Sequence, residues 1–151
     1  MSDEYRRQEA DLDDLYRDII IDHYRHPRHN GHLSAPTACH EGLNPLCGDE
    51  VTVEVLVEGD RLADIAYSGS GCSISQSSAS MLTEAVAGKS VEDARVLIGD
   101  FTAMMRGEDG VDPEALGDLE ALSGVRKFPV RIKCATLAWH TLEEALREAG
   151  V

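Results

Sequence analysis

Val51, Val53, Val55 and Val57 alternate without a break with Thr52, Glu54, Leu56 and Glu58. Side chains of an extended strand point to opposite faces in turn, so this stretch has one apolar, β-branched face and one more polar face. Such a strand needs cover on one side, which suits an antiparallel sheet with helices packed against a single face. Glu58-Gly59-Asp60 reads as a turn, residues 62–67 as the return strand, and Gly69-Ser70-Gly71 as its break.

The helical pattern surrounds this hairpin. Leu12, Leu15, Tyr16, Ile19, Ile20, His23 and Tyr24 recur at three- and four-residue spacing, which predicts one face of a helix. Asp11 or Asp13 can cap it, and Pro27 stops it. Residues 27–48 read as loop, with room for one short edge strand. A small-residue helix is expected from about residue 75 to 86, ended by Gly88. Ser90-x-x-Asp93 is a capping-box pattern that opens a helix to about residue 105. An acidic, Gly-containing stretch follows at 107–124, with one helical turn expected at 113–116. The last helix carries Cys134, Leu137, Ala138, Thr141, Leu142, Ala145 and Leu146 on one face and runs out at Gly150. There are no repeats and no linker, so residues 1–151 are expected to form one α+β domain.

Charge and length narrow the function. The 151 residues hold 14 Lys and Arg against 28 Asp and Glu, a net charge of -14. Phosphates would be repelled, which argues against nucleic acid or an anionic membrane surface as partner. No apolar run approaches the roughly 18 residues that span a bilayer. The first 15 residues are too charged for a signal peptide. The expected compartment is therefore a reducing cytoplasm, where thiols stay thiols.

The thiols are Cys39, Cys47, Cys72 and Cys134, with no C-x-x-C pair. That is neither a disulfide scaffold nor a zinc ribbon. Three of them sit at element boundaries: Cys47 before the Val-rich strand, Cys72 between the return strand and a helix, Cys134 early in the last helix. Two turns at the same end of a hairpin bring Cys47 near Cys72, and Asp49 can aim its carboxylate at the same point. Buried small hydrophobes are the alternative reading of each cysteine taken singly. The run from Val125 to Lys133 holds four cations in an otherwise acidic chain. It reads either as a solvated basic turn or as charge compensation for thiolates, Arg131 above all.

Asn44-Pro-x-Cys47-Gly-Asp49, Gly69-x-Gly-Cys72-x-Ile-Ser75 and Arg131-x-x-Cys134 resemble the three signatures of the NifU/IscU family of iron–sulfur cluster assembly proteins. The opening helix is similar to that family's start, and the likeness covers nearly the whole chain. Lys133 stands where the IscU branch carries His, and residues 107–127 form an insert; both features resemble the SufU branch. The resemblance implies a SufE/NifU-like fold and a zinc-bound sulfur acceptor working with a SufS-type cysteine desulfurase and downstream iron–sulfur assembly proteins. It implies Cys47, Asp49, Cys72 and Cys134 as metal ligands and Cys47 as the persulfide carrier.

The chemistry of these residues is compatible with that set. Three thiolates and a carboxylate suit tetrahedral zinc. Thiolates also hold iron, so a scaffold for a [2Fe–2S] cluster is the second reading. A structural zinc domain without transfer chemistry is the third. Asp49, the hardest and least thiophilic of the four, is expected to exchange most easily.

Other candidates have quieter explanations. His23, His26, His29 and His32 repeat every three residues, but Pro27 breaks the face, and structural or surface roles are expected. Cys39 and His40 are adjacent bystanders, with His40 the first replacement should Asp49 not be a ligand. Trp139 and His140 are expected to pack on the last helix, and Met81, Met104 and Met105 in the core.

Overall fold

The computed structural model describes residues 3–108 and 110–151. Helix α1 (Asp3–Arg25) leads into the strands β1 (Ala38–Asn44), β2 (Asp49–Glu58) and β3 (Arg61–Ser70). Helices α2 (Ser73–Val86), α3 (Val91–Arg106) and α4 (Pro113–Leu116) follow, then a run of 3₁₀ turns over Gly117–Lys127 and the last helix α5 (Pro129–Glu148). The strands form one antiparallel sheet in the order β1-β2-β3. The fold is α+β, as the strand pattern predicts.

Val51, Val53 and Val55 are fully buried, and so are Leu62, Ile65 and Tyr67 of β3. They form the sheet's contribution to a core completed by Leu82, Phe101, Leu142 and Leu146 from the helices. The Phe101 and Trp139 rings stack with centroids 4.2 Å apart, joining α3 to α5. Met81, Met104, Met105 and Trp139 are buried, as expected, but His140 is exposed rather than packed, because it follows Trp139 on α5 and so turns away from the buried face. Helix α5 crosses β1 and β2. Gly42 permits this approach, because a β-carbon there would meet Thr141 Oγ1 at 2.1 Å.

Helix α2 is the central strut, and its serines make it one. Ser75, Ser77, Ser78 and Ser80 are completely buried. Their small size lets α1 and α5 close on either side, and each hydroxyl has a partner, without which burial would be costly. Ser77 Oγ donates to the Ile20 carbonyl at 2.8 Å. Ser78 Oγ donates to the Ala135 carbonyl at 2.5 Å and accepts from Trp139 Nε1 at 3.0 Å. Ser80 Oγ accepts from the Arg28 amide at 2.9 Å and lies 2.8 Å from His23 Nδ1.

Several boundaries differ from the expectation. Helix α1 begins at Asp3, so Asp11 and Asp13 lie inside it. The preceding Glu, Arg, Gln and Ala residues are strong helix formers, and their propensity outweighs the capping tendency of Asp. Leu15 and Tyr24 on this helix are 54% and 51% exposed, so its buried stripe is narrower than the apolar spacing suggests. Residues 29–31 are more than loop: Gly31 N donates to the Tyr67 carbonyl at 2.8 Å, and Tyr67 N to the His29 carbonyl at 3.0 Å, covering the outer edge of β3. The segment Gly117–Lys127 is fully turned rather than open. Three residues per turn align Leu119, Leu122 and Val125 on one side, and all three are buried.

At the end of β3 the chain must reach α2 past the start of β2. A β-carbon on Gly71 would lie 2.4 Å from Asp49 Oδ1 and 2.8 Å from Ser75 Oγ. Gly71→Ala should therefore lower stability by about 1–3 kcal/mol in urea denaturation, since neither buried neighbour can withdraw. An unchanged midpoint would show the corner to be slack.

His23 gives the fold a pH dependence. Burial first, then the nearby Arg28 charge, lowers its pKa, so the folded protein holds a neutral ring. Below the ordinary histidine value of about 6.5 the unfolded chain binds a proton that the folded chain does not. This contribution is present above that pH and is lost as pH falls. Between about pH 7.5 and pH 5.5 the melting temperature of the wild type should fall more than that of His23→Gln. Parallel curves would contradict this reading.

Candidate metal centre

Three chain corners meet at one end of the sheet. The first is the β1–β2 turn, residues 45–48, carrying Cys47. The second is the first residue of β2, Asp49. The third is the junction of β3 and α2, carrying Cys72. Helix α5 brings Cys134 up from below. Register explains the meeting: Asn44 pairs with Asp49 and Glu50 with Ser70, so both turns leave the sheet at the same end.

The Cys47 and Cys134 sulfurs and an Asp49 carboxylate oxygen all lie within 4.8 Å of one another and can hold a metal ion. Cys72 Sγ is 3.8 Å from Asp49 Oδ2. Cys134 and Asp49 are 0% and 1% exposed, whereas Cys47 and Cys72 are half-buried. The group that can hold an ion is two sulfurs and one hard oxygen, with the Cys72 sulfur beside the carboxylate but outside that group; sulfur and oxygen donors of this kind suit a borderline-soft cation.

Local structure fixes three of the four donors. Cys72 is the N-cap of α2, with its sulfur accepting from Ser75 N at 3.5 Å. This cap starts the helix at Ser73, two residues before the expected position, and places the sulfur at the positive end of the helix. Asp49 Oδ1 accepts the Cys72 amide at 2.8 Å. Burial pushes the Asp49 carboxyl up, but hydrogen bonds from the Cys72 amide and from the Cys134, Cys72 and Ser75 side chains outweigh it and hold the group below the usual carboxylate range. The Cys72 amide thus seats the Asp49 carboxylate in the metal-free site. Cys134 lies in the second turn of α5. Burial, followed by its neighbours Cys47, Asp49 and Cys72, pushes this thiol strongly up. A metal held there must displace its proton, so binding strengthens as pH rises.

Cys47 is held more lightly. Its amide donates to the Asn44 carbonyl at 3.3 Å, and Leu46 beside it is 70% exposed. Arg131 is exposed above the cluster and is held more firmly protonated, first by Cys72 and then by Cys134 and Cys47. The basic run divides in the structure. Arg126 turns away to the Ser123 and Met104 carbonyls at 3.1 and 3.4 Å, serving the end of α3.

The remaining candidates lie elsewhere. Cys39 is exposed on β1, about 17 Å along the strand from Asn44 at roughly 3.4 Å per residue. Burial and the charges of Glu54, Glu148 and Glu41 push its thiol up. His40 Nδ1 lies 2.6 Å from Glu148 Oε1, and His32 Nδ1 2.7 Å from Glu54 Oε2. His29 Nδ1 is 3.2 Å from the Ile65 carbonyl. The four-histidine repeat is therefore dispersed. In the motif Asn44 is only a letter; its contact to the Cys134 sulfur depends on tertiary geometry.

No helix among the described residues is long and apolar enough to cross a membrane. The family model described as the NifU-like N terminal domain matches residues 15–147. The zinc-dependent sulfurtransferase SufU of Bacillus subtilis is 47% identical over 142 residues, covering 93% of this chain and 96% of that protein. The iron–sulfur cluster assembly scaffold protein IscU of Streptococcus pyogenes is 44% identical over 92% of this chain and 87% of its own length. A solved structure from Fervidobacterium islandicum, described as an iron–sulfur cluster assembly scaffold for the SUF system, superposes with a TM-score of 0.81 at 35% identity, covering 85% of this chain and 93% of that one. A NifU-like N-terminal structure from Brucella abortus shares the fold, with a TM-score of 0.83 at 22% identity over 92% and 96% of the two chains. With nearly nine-tenths of its length matched, and with Cys47, Asp49 and Cys134 gathered in space, the chain belongs to the NifU/IscU family of iron–sulfur cluster assembly proteins.

Proposed function

We propose that this chain is a zinc-dependent sulfurtransferase of iron–sulfur cluster assembly, which takes sulfur from a SufS-type cysteine desulfurase and passes it to downstream assembly proteins. The observation that carries this reading is the asymmetry of the cluster: three donors are fixed by the fold, and the fourth, Cys47, sits on an exposed turn. Cys47, Asp49, Cys72 and Cys134 would hold the zinc. Bound zinc keeps the thiols deprotonated and protects them from oxidation.

The transfer itself belongs to Cys47. Its thiolate attacks the terminal sulfur of the donor's persulfide; a new S–S bond forms on Cys47, the donor's S–S bond breaks, and the donor leaves as a thiolate. No outside oxidant or reductant is required. The turn at 45–48 can bring Cys47 outward without disturbing β1 or β2, whereas Cys134 is fixed on a helix. Arg131 balances the negative charge that three sulfurs and a carboxylate accumulate. The compartment consistent with this chemistry is a reducing cytoplasm.

A scaffold on which a [2Fe–2S] cluster is assembled as cargo is the second reading, favoured by the IscU name of a relative 44% identical. Metal analysis separates the two. Protein purified in air should be nearly colourless with about one zinc per chain. A brown protein with stoichiometric iron and sulfide would favour the scaffold, and zinc without any effect on desulfurase turnover would leave a structural zinc domain.

The cysteines can be tested singly. Cys47→Ala, Cys72→Ala and Cys134→Ala should each abolish stimulation of the desulfurase, while Cys39→Ala should retain it. Equal loss in Cys39→Ala would overturn the ligand assignment. Asp49→Asn keeps an acceptor for the Cys72 amide but removes the charge. It should weaken zinc binding by about 10-fold or more in chelator competition and reduce sulfur transfer while preserving the fold. Wild-type affinity and transfer would remove Asp49 from the ligand set.

A further inference from the structure

Asn44 is the last residue of β1, 5% exposed, and makes two contacts that join otherwise separate parts of the site. Its side-chain Nδ2 points to Cys134 Sγ at 3.7 Å, within hydrogen-bonding range for sulfur. Its backbone carbonyl accepts the Cys47 amide at 3.3 Å. One residue therefore touches the most buried cysteine through its side chain and the half-buried Cys47 through its backbone. We propose that Asn44 is a positioning residue that holds Cys134 as the fixed sulfur of the site and sets the reach of the Cys47 turn. The inference rests on the sulfurtransferase reading for its consequence, but the contact itself can be read without it.

The physical argument is electrostatic and geometric. An N–H aimed at a thiolate stabilises the sulfur lone pair and reduces its readiness to attack or to leave. Cys134 receives such a donor from Asn44, in a setting where burial alone would disfavour the charged form. For Cys47, the corresponding bond is made by its own backbone, so the turn is closed while the sulfur is not held. Groups that orient ligands in this way are typically worth about 10–100-fold in metal affinity. Asn44 also stands opposite Asp49 in the β1–β2 register, so its side chain is carried by the same rigid strand end as the carboxylate.

Asn44→Asp is nearly isosteric, keeps the backbone contact and replaces the N–H donor by an acceptor. Asn44→Ala removes the side chain altogether. Each should be loaded with cobalt(II) in place of zinc and its thiolate-to-cobalt charge-transfer band recorded, together with the melting temperature and zinc affinity by chelator competition. Losing the N–H raises the energy of the sulfur lone pair. Both variants should show the band at longer wavelength than the wild type and at least about a 10-fold loss of zinc affinity. In the desulfurase assay, the maximal stimulation should fall while the concentration giving half-maximal stimulation stays within about 2-fold, because the docking surface is unchanged. Unshifted cobalt bands and wild-type affinity in both variants would overturn the role of Asn44, whatever the assay shows. If the wild type itself does not stimulate the desulfurase, the sulfurtransferase reading fails, and the cobalt band still decides the contact. A lower melting temperature with unshifted bands would make Asn44 merely structural and likewise overturn the proposal.

Discussion

The hydrogen bond from the Cys72 amide to the buried Asp49 carboxylate, 2.8 Å long, is the constraint on which the site depends. It ties the first residue of β2 to the N-cap of α2 and so fixes the angle between sheet and helix at the point where the sulfurs meet. A carboxylate that is 1% exposed is stable only with donors around it, and this one has the amide and the thiol of Cys72. Gly71 is the steric condition for that arrangement, since any β-carbon there would enter the space of the carboxylate. The sheet register brings the two residues together, and the contact then ties helix start to donor geometry.

The same constraint produces the division of labour within the cluster. Asp49 and Cys72 are locked to each other, and Cys134 is buried on α5, which is itself packed on the sheet over Gly42. Cys47 alone is carried by a turn whose neighbour Leu46 is largely exposed. This arrangement, with three side chains held by the fold beside one on a surface turn, is what the proposed role of sulfur acceptor calls for. Charge follows the same plan. The chain is strongly acidic, yet Arg131 lies near Cys72, Cys134 and Cys47, which favour its charged form.

Much of this was legible in the sequence because it depends on local pattern. The valine alternation fixed which face of β2 is buried, the two turns fixed which end of the hairpin carries Cys47 and Cys72, and three spaced motifs pointed to the family. The rest depends on tertiary contact. No periodicity shows that four serines of α2 are all buried, each paired with another helix, a loop or its own cap. The start of α1 was misplaced because Asp residues that favour caps also occur inside charged helices of high propensity. Asp49 reads in the sequence only as a carboxylate near Cys47, whereas its burial and its bond to the Cys72 amide come from the tertiary fold. The 3₁₀ run at Gly117–Lys127 is visible only as Leu119, Leu122 and Val125 at intervals of three, a period easily lost in an acidic segment.

The central claim is that sulfur is received at Cys47 while the other donors stay in place. The most direct measurement is peptide mass spectrometry of the zinc-loaded protein after brief incubation with a SufS-type desulfurase and cysteine, with thiols alkylated before digestion. The account predicts one added sulfur atom on the peptide containing Cys47 and none on those containing Cys72 or Cys134. Added sulfur found mainly on Cys72 or Cys134, or on no cysteine while the desulfurase turns over, would contradict it.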